Sequence, residues 1–350
     1  MARVHPFQTN FTSGEISPKL FGQVDFKKYN NAVETMENMT VFPQGGSERR
    51  YGSRFVCEVK NSANATRLVP FEFNIEQSYI LEFGNLYIRF YKDNGQITEA
   101  TKTITAITKA NPAVVTAASH GYSNGDHIWI NDVVGMTEVN GRRFTVANKT
   151  TNTFELSGVN SSSYTTYTSG GTAAKVYEIT TEYTSSQLAE LQFAQSADVM
   201  YIVHPSHEPT KLTRTGHTSW SITDVDFEKG PYLDKNTTTT TLNPSAHTVG
   251  TGRTVVASST TGVNGGDGFQ STDVGRLLRF RSGHAKITAV ADTLNFTIEI
   301  LVDLGSATAS DDWQLGAYSN TTGFPRAVSF FEQRLIYGGS TSYPQTIWGS

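Results

Sequence analysis

Gly121-Tyr122-Ser123-Asn124-Gly125 fits Gly-x-Ser-x-Gly, the pattern that lifts a hydrolase serine onto a strained turn between a strand and a helix. Here a β-prone run, His127 to Asn131, stands where the helix should begin, and Asn-Gly is a turn pair, so Ser123 reads as a turn residue. His204-Pro205-Ser206-His207 sets two imidazoles three residues apart, a spacing that can chelate a metal from one helix face. Pro205 and Pro209 argue against that helix, so the two rings need not share a face, and the segment reads as a polar turn. Asp311-Asp312 pairs two carboxylates, yet neighbours in a strand point to opposite faces and in a loop they simply solvate. Asn264-Gly265-Gly266-Asp267-Gly268 lacks the following Lys or helix that would aim N–H groups at a phosphate, and reads as a mobile hairpin loop. No Gly-x-x-x-x-Gly-Lys-Ser/Thr loop and no His-Glu-x-x-His motif occurs. The expectation is a non-enzymatic chain with no catalytic, metal or cofactor-binding set.

Positive charge is concentrated in one place, the loop Ser47 to Arg54 with Arg49, Arg50 and Arg54. A guanidinium can clamp a carboxylate of a neighbouring subunit bidentately or touch a phosphate, so these three are the candidate interface residues, against the alternative of a solvated loop. Trp129, Trp220, Trp313 and Trp348 form no stripe and read as sheet core or strand-pair anchors.

The elements that must hold these residues are mostly strands. The 350 residues are 37% hydrophobic and 17% charged, with 30 Gly, 20 Phe and 15 Tyr, which separates the chain from disordered sequences. That length exceeds one average domain. A net charge of -4 gives no field for tight DNA binding, which needs clustered Lys and Arg. The one cysteine, Cys57, can form neither an internal disulfide nor a multi-thiolate site; it sits in a strand-like run, Arg54 to Val59, and reads as a buried apolar residue. Met1 to Asn10 carries no signal-like apolar stretch and no run of about 18 apolar residues occurs, so a soluble protein made in a cytoplasm, without membrane insertion, is expected. Triplets such as Asn64 to Thr66 and Asn295 to Thr297 are chance glycosylation matches in a Thr-rich chain.

Residues 11–24 read as an extended arm. Phe26, Tyr29, Val33 and Met36 predict a short amphipathic helix over Asp25 to Met39 with Asp25 as N-cap. Tyr79 to Phe83 and Leu86 to Tyr91 predict a hairpin turning at Gly84-Asn85, with a further turn at Asp93-Asn94-Gly95. Short β runs at 114–117, 127–131, 144–148 and 153–156 predict a small barrel inserted at 101–178. A short helix near Gln187 to Phe193 precedes the strands Val199 to Val203, Thr210 to Arg214 and Trp220 to Phe227. A second insertion follows, with strands at 277–281, 285–290 and 295–302, and then a strand pair from Arg326 to Gly338 and Thr346 to Trp348. The fold class is mainly β: propeller-like strand units interrupted by two small β-barrel insertions, with few short helices. The units are an arm and first β unit at 1–100, the inserted barrel at 101–178, a second β unit at 179–233, a second β insertion at 234–318 and the start of a further blade at 319–350. A closed propeller needs more blades than that, so a fragment, a processed form or a subunit completing its sheet with others is expected.

Asn10-Phe-Thr-Ser-Gly-Glu-Ile-Ser-Pro-Lys-Leu20, Gly22-Gln-Val-Asp25, Lys28-Tyr29 and Phe42-Pro-Gln-Gly-Gly-Ser-Glu-Arg-Arg-Tyr-Gly-Ser-Arg54 resemble the opening of podovirus tail nozzle proteins, the tail tubular protein B family of short-tailed bacteriophages. Tyr201 to His207 with Leu212-Thr-Arg214 and Trp220, and Phe324 to Val328 through Trp348, are similar to blade strands of that family. Within 101–178, His120-Gly-Tyr-Ser-Asn-Gly-Asp126 with Gly135-Met136 and Asn140-Gly141 resembles a β-domain of the first catalytic cysteine half-domain of ubiquitin-activating enzymes, without implying ubiquitin chemistry. The nozzle resemblance implies a structural virion protein of the tail, assembled in the host cytoplasm. It further implies a homo-oligomeric ring, a hexamer, below the tail adaptor protein and near tail fibres or spikes. Genomic DNA would pass through its channel without specific binding, a role that mild acidity suits. The family is usually longer. The alternative is a tailspike or receptor-binding module recognising a host surface glycan; it needs a groove of aligned carboxylates or aromatics, and the sequence singles out none. A head-closure adaptor fits less well, being largely helical.

Overall fold

A computed structural model describes residues 7–73 and 78–349, so the start of the amino-terminal stretch Met1 to Asn10 lies outside the described residues. The protein is mainly β, and among the described residues every helical element is a single 3-10 turn. By internal contacts the chain divides into two units, Met1–Val56 and Cys57–Ser350.

The first unit holds a small hairpin, Met39–Val41 against Ser47–Arg49, and a short parallel pair, Gly14–Glu15 with Ala32–Val33. Gly45, at φ 105°, lets the hairpin tip bend toward Asn10, where its carbonyl accepts the Phe11 N–H at 2.8 Å. The helix expected over Asp25 to Met39 is absent; a 3-10 turn at Tyr29–Asn31 runs straight into the Ala32–Val33 strand. Short helices need an apolar face buried against something. Here Phe26 stays exposed and Ala32 is the sole buried apolar residue among those described in this unit.

In the second unit the Ser78–Gly84 and Tyr87–Lys92 strands form the expected hairpin, flanked by Arg67–Glu72. Its loop is Asn85-Leu86 rather than Gly84-Asn85, because Gly84 pairs across to Tyr87, whose ring fills the space a Cβ on Gly84 would need. At the next turn Asp93 and Asn94 both take positive φ, the form whose twist suits a two-residue hairpin, and Gly95 is already paired with Lys92. Glu178–Thr180 adds the fourth strand beside Tyr87–Lys92, so the first blade is completed from beyond the insertion. The second blade is an antiparallel meander of Gln192–Ser196, Val199–His204, His207–Gly216 and Ser219–Asp224. The expected helix at Gln187 to Phe193 is replaced by turns and the first of these strands. Leu188 and Leu191 are buried from the turns, while Phe193 pairs opposite Ile202 in the ladder.

The two blades share one core. Trp220 stands with its ring 4.8 Å from Phe71, 5.4 Å from Tyr79 and 4.4 Å from Phe90. Each such buried ring is worth roughly 2–3 kcal/mol of transfer energy. The run expected as a strand from Phe55 to Val59 is irregular, and Cys57 is half-buried with its thiol 3.4 Å from the Tyr91 hydroxyl. Backbone carbonyls of Glu58 and Val59 are claimed instead by the Arg143 guanidinium, at 2.5 and 3.0 Å.

Each insertion curls on itself. In the first, residues 102–103 pair with the Ser169–Lys175 strand and residues 106–107 with Val114–Thr116, so one stretch of chain covers both ends of the seven-strand path. Ile128, Ile130, Phe154 and Leu156 fill its centre. In the second, six strands run from Leu242–Pro244 to Trp313–Leu315, and Leu242 exchanges both backbone hydrogen bonds with Ser310 to join the two edges. Phe269 stacks on Phe296 inside it at 3.9 Å. Ala327–Phe331, Arg334–Gly338 and Ile347–Gly349 make the third, three-stranded blade.

Candidate assembly surface and polar sites

Arg49 ends the first unit's hairpin opposite Met39, so the expected basic loop begins inside a strand. Arg50 follows with its backbone N–H on Asn38 O at 2.8 Å and Nε on Asn38 Oδ1 at 3.2 Å. Arg49 and Arg50 come together with Tyr51 around an open depression of about 450 Å³; Arg54 lies beyond it in irregular chain. Among the described residues none of the three guanidiniums meets a carboxylate. In the same unit Phe7, Tyr51 and Phe55 are 90%, 82% and 77% exposed. Among the described residues this unit therefore combines cations without a carboxylate partner, exposed aromatic rings and almost no buried core.

Ser123 sits in a loop closed by its own N–H on Asp126 Oδ2 at 2.8 Å. The neighbouring imidazole, His120, accepts the Tyr122 N–H through Nδ1 and packs between Tyr122 and Phe154, so its Nδ1 is already engaged with the backbone. The two histidines, which the sequence did not require to share a face, are cross-strand partners at a tight turn, rings 5.1 Å apart, because Pro205-Ser206 is the loop of a hairpin. His204 Nδ1 accepts the Ser206 N–H, and Glu182 lies 3.2 Å from His207 Nδ1. Burial, then the neighbouring His207, lowers the pKa of His204. Among the described residues no group of three or more His, Cys, Asp or Glu is arranged to hold a metal. Asp312 pairs with Lys235 at 3.0 Å, and its neighbour Asp311 is exposed. Trp313 is buried with Nε1 on Thr240 O, and Trp348 packs edge-on against Tyr318.

Sequence reasoning missed a charged row across the first blade. Glu82, Arg89 and Glu178 are successive cross-strand partners on three adjacent strands. Arg89 donates from Nε to Glu178 at 2.9 Å and reaches His127 Nδ1 of the first barrel at 3.1 Å, while its Nη1 is buried without a hydrogen-bond partner among the described residues. Lys60 meets the other Glu178 oxygen at 2.5 Å, and Glu82 accepts the hydroxyls of Tyr87 and Tyr91. Burial works against ionisation of Glu178, but hydrogen bonds and charge from Lys60 and Arg89 hold it below the usual carboxylate range. Burial first, then the Arg89 and Arg143 charges, pushes His127 down to about 4. Burial and the hydrogen bonds to Glu82 raise both tyrosines. The opposite-charge alternation on the predicted hairpin was the available signal; the third member arrives after the insertion. The row joins barrel to blade.

Fold and sites thus define a chain of blade-like sheets carrying two small barrels. The family described as Ubiquitin-activating enzyme E1 FCCH domain matches residues 110–177, which hold most of the first barrel. Ubiquitin-like modifier-activating enzyme 1 of Oryctolagus cuniculus is 31% identical over 126 residues, which is 33% of this chain; the chain spans 12% of that protein's length. Cys57, the only cysteine, lies outside the matched residues. Phage phi92 endosialidase is similar over 82% of this chain and 58% of its own, at 11% identity and a TM-score of 0.18.

Proposed function

We propose that the protein is a structural, non-enzymatic subunit of a short-tailed phage tail, a ring of six copies forming the nozzle or hub below the tail adaptor. The observation that carries this reading is the first unit, whose exposed aromatics and whose Arg49, Arg50 and Arg54, without a carboxylate partner among the described residues, suit a covering surface. The most specific of the stretches that resemble tail nozzle proteins, residues 10–54, falls in the same unit. The barrels decorate the outside near fibres or spikes, and DNA crosses the axial channel without specific contacts during ejection. Assembly takes place in the host cytoplasm and the protein ends in the virion tail. Imaging intact particles with the protein labelled tests the reading: label around the tail axis is expected, and label confined to fibre tips would overturn it.

A further inference from the structure

Where the second barrel meets the start of the third blade lies a cavity of about 540 Å³, within the range of roughly 300–1,000 Å³ that holds small molecules. Its lining comes from 233–238, from several positions between 262 and 270, from Arg276, Trp313 and Leu315, and from the loops at 321–322 and 342–343. Arg276 forms part of this lining and is almost fully buried. Its Nε donates to Gly316 O at 2.7 Å, and its Nη1 donates to Asn264 Oδ1 at 2.7 Å and Asp273 Oδ1 at 2.9 Å. Asp273 is fixed in turn by the Gln270 N–H and the Asn264 amide, at 3.0 and 2.7 Å. The wall is therefore rigid before anything binds. Among the described residues Arg276 Nη2, the Gln270 amide nitrogen and the carboxylates of Asp234 and Asp267 have no hydrogen-bond partner. Tyr343, partly exposed, lines the same space.

That set selects against most ligand classes. Two unpaired carboxylates repel phosphates and nucleotides, a guanidinium in the wall repels a bare cation, and so polar a lining leaves an apolar guest with unsatisfied groups around it. A neutral polyhydroxylated molecule meets all of it at once. Its hydroxyls donate to the carboxylates and accept from guanidinium and amide, and the apolar C–H face of a pyranose suits an aromatic ring. We propose that this cavity binds a neutral saccharide, with Asp234 and Asp267 accepting from its hydroxyls and Arg276 and Gln270 donating to them. The site is independent of ring assembly.

The test uses the full chain with glucose, galactose and N-acetylglucosamine, read by saturation-transfer NMR, and a printed array of neutral bacterial-surface glycans. At least one saccharide should show transfer or retention. The Asp234→Asn, Asp267→Asn double variant, altered only at exposed positions, should weaken it about tenfold or more while leaving the circular dichroism spectrum unchanged, since hydrogen bonds to charged groups are the stronger ones. No transfer with a blank array, binding undiminished in the double variant, or displacement of the sugar by inorganic phosphate would each overturn the proposal. A blank screen on a protein that still forms rings removes this site and leaves the assembly reading standing.

Discussion

Replacing Glu178 with Ala isolates the most consequential buried charge. The Arg89 side chain is 1% exposed and Glu178 27% exposed, so the substitution strands a guanidinium that cannot reach water in the folded protein. Removing one partner of a fully buried pair costs about 3–5 kcal/mol. The partial exposure of Glu178, and the contact Arg89 retains with His127, reduce this to about 2–3 kcal/mol. The double replacement Arg89→Met, Glu178→Leu removes both charges and should cost clearly less than Glu178→Ala alone, because the penalty is desolvation of the survivor. Since the chain contains several cores, a single melting curve can blend separate transitions. Hydrogen exchange of the Tyr87–Lys92 and Glu178–Thr180 amides, followed through a urea series, reads the effect where it arises. A single variant within about 0.5 kcal/mol of wild type, or a double variant worse than the single, would refute the view that the row is held by charge pairing.

Three further outcomes are expected. His127 resists protonation in the folded state, with its pKa held at about 4, so unfolding takes up a proton as pH falls. Its contribution is complete above about pH 6.5 and is lost by about pH 4, roughly 2 kcal/mol after allowance for its partial exposure, and a His127→Gln variant should lose this slope in pH-dependent denaturation. Gly283→Ala puts a Cβ 2.3 Å from the Asp303 carbonyl oxygen, so thermal unfolding of the second barrel should shift down by about 1–3 kcal/mol, whereas Gly265→Ala, open around its Cβ, should show only backbone strain. Replacing Arg49, Arg50 and Arg54 together with Ala should lower incorporation into particles with an unchanged circular dichroism spectrum; full incorporation would remove them from the interface.

The strands were legible where one face meets a core and the other does not. Tyr79, Leu81 and Phe83 alternate on the buried face of the first blade, and that period survives folding because Trp220 and Phe71 cover it. The same logic misled at Phe26, Tyr29, Val33 and Met36, whose helical spacing is real but has no surface to bury against within the first unit. Burial also reverses expectations on the far side of the hairpin. Glu82 is buried while Ile80 on the same face is exposed, because the tyrosine hydroxyls supply the partners a carboxylate needs. Pro205 and Pro209 rule out a helix that would align His204 and His207, yet the hairpin closed at Pro205-Ser206 sets the two opposite each other. The cavity around Arg276 was invisible in sequence, since its walls come from stretches up to about 110 positions apart that only closure of the second barrel against the third blade assembles.

Self-association is the claim on which the functional reading rests, and native mass spectrometry of the purified full chain tests it most directly. A species of six copies, dissociating as salt screens Arg49, Arg50 and Arg54, is the expected spectrum. A monomer of 38.3 kDa at every concentration and ionic strength, in the presence as well as the absence of the tail adaptor, would contradict it.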